Sequence, residues 1–296
     1  VRRFFAILVA APSLAPGVAG ACAVCNVGDP TLTSMGTEKP YQGRLRPSLT
    51  LQYRTDEVGE ARVDRLRLAE ARLDLNLAWA PHERLFLTGT LPTMRRTVEY
   101  VNLARRTSVG LGDAELRGRW FLWQDRSFGA KHLVAVTAGV KLPTGQVQRG
   151  KDGEPLPVEL QPGTGSVDPL GGVSYAHFAW PWSVYTSVQL FGSTAGVGGM
   201  RASRSLRTTA AAQWQASTEV ALRLGLDGRL DGKAIEDGAP ERDSGGFIGY
   251  VSPEVLLSPA QDWVVVLSAR LPVIQALSGF HREGPIWSVG LARDLR

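Results

Sequence analysis

The sequence predicts an all-β fold, a transmembrane antiparallel up-and-down β-barrel of about twelve strands, and three observations predict it. Short stretches alternate apolar with polar side chains at period 2, as half-buried strands do because successive Cβ atoms point to opposite faces. The connections between them alternate long and short, the habit of barrels with long external loops and short periplasmic turns. The third observation is a secretory leader ahead of the first strand.

The 296 residues are 44% apolar, with mean hydropathy -0.07. Past the N-terminus no run approaches the ~18 apolar residues of a spanning helix, whereas a barrel needs only half of each strand apolar. Arg2 and Arg3 form a basic n-region, Phe4 to Ala11 an apolar core, and Ala19-Gly20-Ala21 a small-residue cleavage site. Residues 1–21 are therefore read as a signal peptide, 22–43 as a periplasmic or plug segment, and 44–296 as the barrel. Loss of Arg2 and Arg3 takes two charges from the formal +5, leaving +3. That excess is spread along the strands, so no nucleic-acid partner is expected.

Cys22 and Cys25 form a Cys-x-x-Cys pair followed by Asn26. Covalent c-type haem needs His after the second Cys, and zinc needs two further ligands. Neither is present in the pattern, so no cofactor and no metal are expected. A periplasmic disulfide between Cys22 and Cys25, a lipidated Cys22 and a redox-active pair remain the alternatives.

In the first strand Leu45, Pro47, Leu49, Leu51 and Tyr53 alternate with Arg44, Arg46, Ser48, Thr50, Gln52 and Arg54. The second runs from about Asp64 to Ala80. Its apolar phase changes from Leu66 and Leu68 to Ala71, Leu73, Leu75, Leu77 and Trp79, which predicts a bulge near Ala69. Pro81-His82-Glu83 turns into Leu85, Leu87, Gly89 and Leu91. In the fourth strand Asp113, Glu115, Arg117 and Arg119 alternate with Ala114, Leu116, Gly118, Trp120 and Leu122. A face so charged must meet water, here a lumen, with Arg117 and Arg119 expected to pair with carboxylates on neighbouring strands, Asp74 and Glu115 being candidates.

The fifth strand turns Val134, Val136, Ala138, Val140 and Leu142 outward. Strands six and seven meet at Trp180-Pro181-Trp182, aromatics at a membrane boundary. The eighth shows Leu206, Ala210, Ala212 and Trp214 against Arg207, Gln213 and Gln215, and the ninth Val220, Leu222, Leu224 and Leu226 against Arg223, Asp227 and Arg229. The tenth spans Phe247 to Leu257. Ser258-Pro259-Ala260-Gln261 leads to Trp263, Val265, Leu267, Ala269 and Leu271, and the last strand turns Trp287, Val289, Leu291 and Leu295 outward. With both ends periplasmic, connections near 55–63, 98–109, 143–164, 193–204, 232–245 and 276–284 fall outside and are read as long. The expected lumen face is Arg72, Asp74, Asp113, Glu115, Arg117, Arg119, Arg223, Asp227 and Arg270.

Three motifs then point to a family. Gly110-Leu111-Gly112-Asp113 opens strand four, Lys141-Leu142-Pro143-Thr144-Gly145 closes strand five, and Gly163-Thr164-Gly165-Ser166-Val167-Asp168 opens strand six. In this order, over roughly residues 105–295, they resemble the outer-membrane barrels named for the meta-pathway of phenol degradation. The resemblance implies a Gram-negative outer-membrane barrel that passes hydrophobic or aromatic compounds. Such barrels often end in Phe; here Leu295 is expected to serve.

His82, His132, His177 and His281 lie in turns or isolated on strands, and no nucleophile–base–orienter set is legible, so the chain is not read as an enzyme. The leading function is a porin-like transport channel or facilitator whose partners are outer-membrane lipid and a small-molecule solute. The rivals are a plugged anchoring barrel, because ~12 strands lie between filled barrels of ~8 and open ones of 16–18, and a barrel partner of an exported electron-transfer protein. No feature sets an oligomeric state. Pro92, Pro143 and Pro272 end Leu-Pro pairs near the outer ends of upward strands. Proline removes a ladder donor, so each marks a strand exit or a candidate gate in the wall, Pro143 foremost because the longest external loop follows it.

Overall fold

Residues 42–125, 131–236 and 238–295 are described in a computed structural model of the chain. The leader, Cys22 and Cys25, and residues 22–41 of the N-terminal segment lie outside the described residues. The strands are β1 (Leu45–Val58), β2 (Leu66–His82), β3 (Leu85–Glu99), β4 (Arg105–Leu111), β5 (Ala114–Gln124), β6 (His132–Leu142), β7 (Asp168–Ala179) and β8 (Trp182–Phe191). They continue as β9 (Ser205–Gln215), β10 (Val220–Asp231), the small hairpin β11 (Ile235–Glu236) and β12 (Ala239–Pro240), β13 (Gly246–Leu257), β14 (Trp263–Leu277), β15 (His281–Glu283) and β16 (Ile286–Arg293).

Fourteen of these form one antiparallel sheet in which β1 pairs with β2 on one side and with β15 and β16 on the other. The sheet is thus closed. β4 and β5 are one stave interrupted at Gly112-Asp113, and β15 and β16 one stave interrupted at Gly284-Pro285, so the barrel has twelve staves. At the closing seam Arg44 and Arg46, both buried, reach the carboxylate of Asp294, with Arg44 at 2.8 and 2.9 Å.

The exposed apolar side chains are those the alternation turns outward, such as Leu49, Leu51, Leu73, Leu75, Leu224 and Leu226, while Ser48, Thr50, Glu70, Asp74 and Asn76 are buried. This is an apolar outside around a polar inside, the arrangement of an outer-membrane barrel. Exposed Trp79, Trp120, Trp123, Trp180, Trp182 and Trp214 gather at the end that carries the short turns. Leu45 lies opposite Trp79, and Tyr53 lies opposite Trp287 near the other boundary. Eight residues separate these levels, ~26 Å along a strand. At a typical tilt of ~40° that is ~20 Å of membrane.

The structure departs from the sequence reading in three places. No bulge occurs at Ala69: β1 and β2 stay in register from Leu45↔Trp79 to Val58↔Leu66, and Leu66 and Leu68 lie on the inner face above Glu70. Register shifts occur instead at Trp79/His82, Phe121/Trp123, and on β13 between Gly249 and Tyr250. In the last, Tyr250 faces Pro272 and Gly249 faces Ile274, so Val273 is the extra residue and both Val273 and Ile274 are exposed.

Second, the external connections are not uniformly long. β3 and β4 extend to leave only 100–104 between them, and β14 and β15 leave 278–280. Above the bilayer both faces of a strand meet water, so the alternation fades from Thr93 on, and Val98, Glu99 and Arg105 to Val109 read as loop. Third, Arg117 bonds to Glu115, one of the two expected carboxylates, along its own strand, and Arg72 bonds to Asp74 (2.6 Å), the other, in the same way. Residues two apart on a strand share a face, and an arginine is long enough to lie along it.

Cysteine at 117 should react with a small water-soluble maleimide through the lumen, and cysteine at 118 should be protected by detergent or lipid. Labelling in the reverse pattern would contradict the register.

Candidate functional site

The inner face is stratified. Toward the short-turn end it is apolar, with Phe86, Phe121, Leu133, Ala135, Ala176 and Tyr185 in one buried cluster and Ala221, Leu256, Val264, Val266 and Ala292 in another. Phe86 and Phe121 meet edge to face at 5.8 Å. Above them the layer is ionic. Arg117 and Arg119 are buried, the latter 3.4 Å from Thr137 on β6. Arg223 pairs with Glu254 directly opposite on β13. Asp227 accepts from Thr209 at 2.8 Å and from Ser252, with Arg270 at 3.9 Å.

Residues the sequence reading did not single out complete this layer. Glu70 is buried between Arg54 (2.9 Å) and Arg96 (2.6 Å). Glu283 accepts from Arg229 and, at 2.5 Å, from the Tyr250 hydroxyl. Arg54 and Arg229 had the right parity in the alternation. Arg96 and Glu283 lie beyond the point where the alternation stops, so no periodic signal marked them.

The three quoted motifs converge on one side chain. Asp113 fills the interruption between β4 and β5, and its carboxylate accepts from the N–H groups of Gly145 (3.0 Å), Thr164 (2.7 Å) and Gly165 (3.2 Å) and from the Thr164 hydroxyl (2.9 Å). Lys141 lies 3.7 Å away and also pairs with Asp168. Asp113 was expected on the lumen face; the structure makes it the buried clasp of both ends of loop 143–167. The glycines are required here, since a Cβ at Gly163 or Gly145 would come within 2.5 or 2.7 Å of Asp113 Oδ1.

Held at both ends, the loop exposes its middle, residues 151–155, and lays Leu160 and Gln161 against the inner side of the wall. Leu160 is fully buried, and its carbonyl accepts from Ser108 Oγ at 2.5 Å. The carbonyl of Gln161 accepts from Arg96, which also holds Glu70. Ser108 and Arg96 face each other on β4 and β3 on the inner side of the wall. The buried Gln161 side chain closes the loop on itself, accepting from Gln148 N–H at 2.9 Å and donating to the Leu156 carbonyl at 2.7 Å.

The three prolines mark three different irregularities. Pro92 lies mid-strand, opposite the β4/β5 interruption, where its carbonyl accepts from Gly112 at 2.8 Å. Pro143 follows the last residue of β6, and Pro272 is at the β14 bulge. Two of them therefore interrupt the ladder within a strand that continues beyond them. His132 and His177 are not isolated: they pair across β6 and β7 with Nδ1 atoms 3.2 Å apart, on the outward face near the short-turn end.

No protein-family model and no curated protein sequence matches the chain, so the family resemblance rests on the motifs. Among solved structures the chain is similar to an outer-membrane channel from Pseudomonas putida F1, at TM-score 0.68 and 15% identity over 91% of this chain and 99% of that one. It is less similar to the translocator domain of the autotransporter NalP from Neisseria meningitidis (TM-score 0.49, 11% identity, 89% and 92% covered). A deletion mutant of the monoaromatic hydrocarbon channel TodX scores the same (0.49, 8% identity, 93% and 96% covered). At these identities the likeness is one of fold.

Replacing Asp113 by Ala leaves three backbone N–H groups without their acceptor, a loss of about 2–4 kcal/mol of loop order. Loop 143–167 should then be cut by protease at least several times faster, while the barrel keeps its heat-modifiable mobility on gels. Unchanged cleavage would show that Asp113 does not hold the loop.

Proposed function

We propose that the chain is an outer-membrane channel for small solutes, hydrophobic or aromatic ones among them. The observation that carries this reading is loop 143–167, which is bonded into the ionic layer of the inner face through Leu160 and Gln161. A barrel that served only as an anchor would gain more from apolar filling, because buried ion pairs recover little beyond their desolvation cost. A loop folded onto a charged wall instead narrows a hydrated route. The Pseudomonas channel of similar fold supports the same use of the architecture.

Phe191 supports an aromatic solute. It lies on the inner face with the guanidinium groups of Arg207 and Arg117 at 4.0 and 5.6 Å from its ring, so the wall already stacks a ring against cations. The apolar clusters toward the short-turn end favour a second reading, a filled anchoring barrel. The wall irregularity at Pro143 would give an apolar solute a sideways path into lipid, with the in-folded loop as its gate.

Planar-bilayer recording of the refolded protein should show discrete conductance steps. Pro143→Val, which adds an N–H donor at the exit of β6, should slow uptake of a monoaromatic compound without harming assembly. A silent bilayer would favour the filled barrel, and unchanged uptake in Pro92→Val, Pro143→Val and Pro272→Val would remove the sideways path.

A further inference from the structure

The outward face of the barrel carries a second site. Outward positions on the described strands are apolar, small or hydroxyl-bearing almost throughout. Charged side chains fall at Glu57, Arg67, Arg95, Glu99, Arg105 and Arg282 at the external end, and at Arg293 at the opposite end. The six external ones share one sector, the adjacent staves of β15, β1, β2, β3 and β4. The register makes five of them a single row: Arg282 faces Glu57, Glu57 faces Arg67, Arg67 faces Glu99, and Glu99 faces Arg105.

Below this row the wall is cut back to small side chains. Thr55, Ala69, Thr97 and Thr107 are mutually opposite, two positions down each strand. Two positions lower again Arg95 stands at the level of Tyr53, facing Ala71 and Val109. The result is a shelf with a cavity of about 480 Å³, bordered above by Arg67, Arg105 and Arg282 with Glu57 and Glu99 between them. It is floored by Thr55, Ala69 and Thr97 and backed by the inward-facing Asp56 and Glu283; Arg95 stands below it, outside its lining. Four residues above the aromatic level is ~13 Å along a strand, the headgroup zone rather than the hydrocarbon.

On the outward face of this sector four arginines stand against two glutamates, and the two inward carboxylates of the lining, Asp56 and Glu283, are taken by Arg54 (3.3 Å) and by Arg229 on the lumen side. Arg67 and Arg105 are held by Glu57 and Glu99 at 2.6 Å but stay half or more exposed. Arg95 and Arg282 form no ion pair among the described residues. Guanidinium groups around a floor of hydroxyls match a phosphate monoester, which accepts paired N–H donors and further hydrogen bonds. We propose that this shelf binds the phosphate groups of outer-leaflet lipid, so that one side of the barrel carries an ordered phosphorylated glycolipid.

The test is binding of bisphosphorylated lipid A to the detergent-purified barrel, measured by native mass spectrometry beside a dephosphorylated lipid A. The wild type should retain the phosphorylated lipid about tenfold or more over both the dephosphorylated lipid and the R67Q/R95Q/R105Q/R282Q variant. E57Q/E99Q, which frees Arg67 and Arg105, should bind several times more tightly; this arm stands even where the arginine variant fails to fold. Arg293→Gln should change nothing. Equal retention of the two lipids, no gain in E57Q/E99Q, or displacement by millimolar inorganic phosphate, which would mean a free-anion site, would each overturn the proposal.

Discussion

Asp113 joins the wall of this barrel to its interior. A closed antiparallel sheet satisfies its own backbone, and an external loop of 143–167 has no such partner. The stave formed by β4 and β5 gives up two ladder positions, and the freed carboxylate takes the N–H groups at both ends of that loop. Pro92, which has no N–H to lose, stands opposite the interruption. Gly145 and Gly163 are small because the carboxylate occupies the space of their side chains. One buried charge thus accounts for a strand break, a proline, two glycines and the course of the loop.

The ionic layer follows from a more general constraint. Lipid outside forces apolar residues onto one parity, and the other parity is then free to carry charge only if it is neutralised in place. Here neutralisation runs along strands, as in Arg72–Asp74 and Arg117–Glu115, and across them, as in Arg223–Glu254 and the Arg54–Glu70–Arg96 triad. The triad has a further consequence. Arg96 divides its donors between Glu70 and the Gln161 carbonyl, so the position of the loop is coupled to a carboxylate two staves from β4.

Much of this was legible in the sequence because a membrane writes a strict period into each strand. The inward parity of Arg117, Arg223 and Asp227 and the outward parity of Leu73 or Leu224 follow from the alternation. Where the bilayer ends the period ends too, so the upper parts of β3 and β4 read as loop, and Arg96, Ser108 and the charged row on the outer rim escaped notice. The phase change at Leu66 and Leu68 was misread as a bulge for the same reason: above the lipid an apolar residue is free to face inward. The motifs around Asp113, Lys141 and Asp168 were visible as a set, but their meeting point was not. Contacts such as Asp113 with Thr164 join residues far apart in the chain, and no local pattern records them. Glu115 and Asp74 were legible as carboxylates of the arginine layer, but which arginine each takes was not, because an alternation fixes the face of a side chain and leaves its direction on that face open.

The central claim is that residues 160 and 161 of loop 143–167 lie against the inner wall and so set the bore. The direct measurement is single-channel conductance of a barrel with cysteines at 108 and 160, joined through a disulfide, in a background carrying Asp113→Ala. With the link closed the conductance should stay at the wild-type level, and reducing the disulfide should raise it severalfold as the unclasped loop leaves the lumen. Equal conductance in the linked and reduced states would mean that the loop does not narrow the route, and the account would fail.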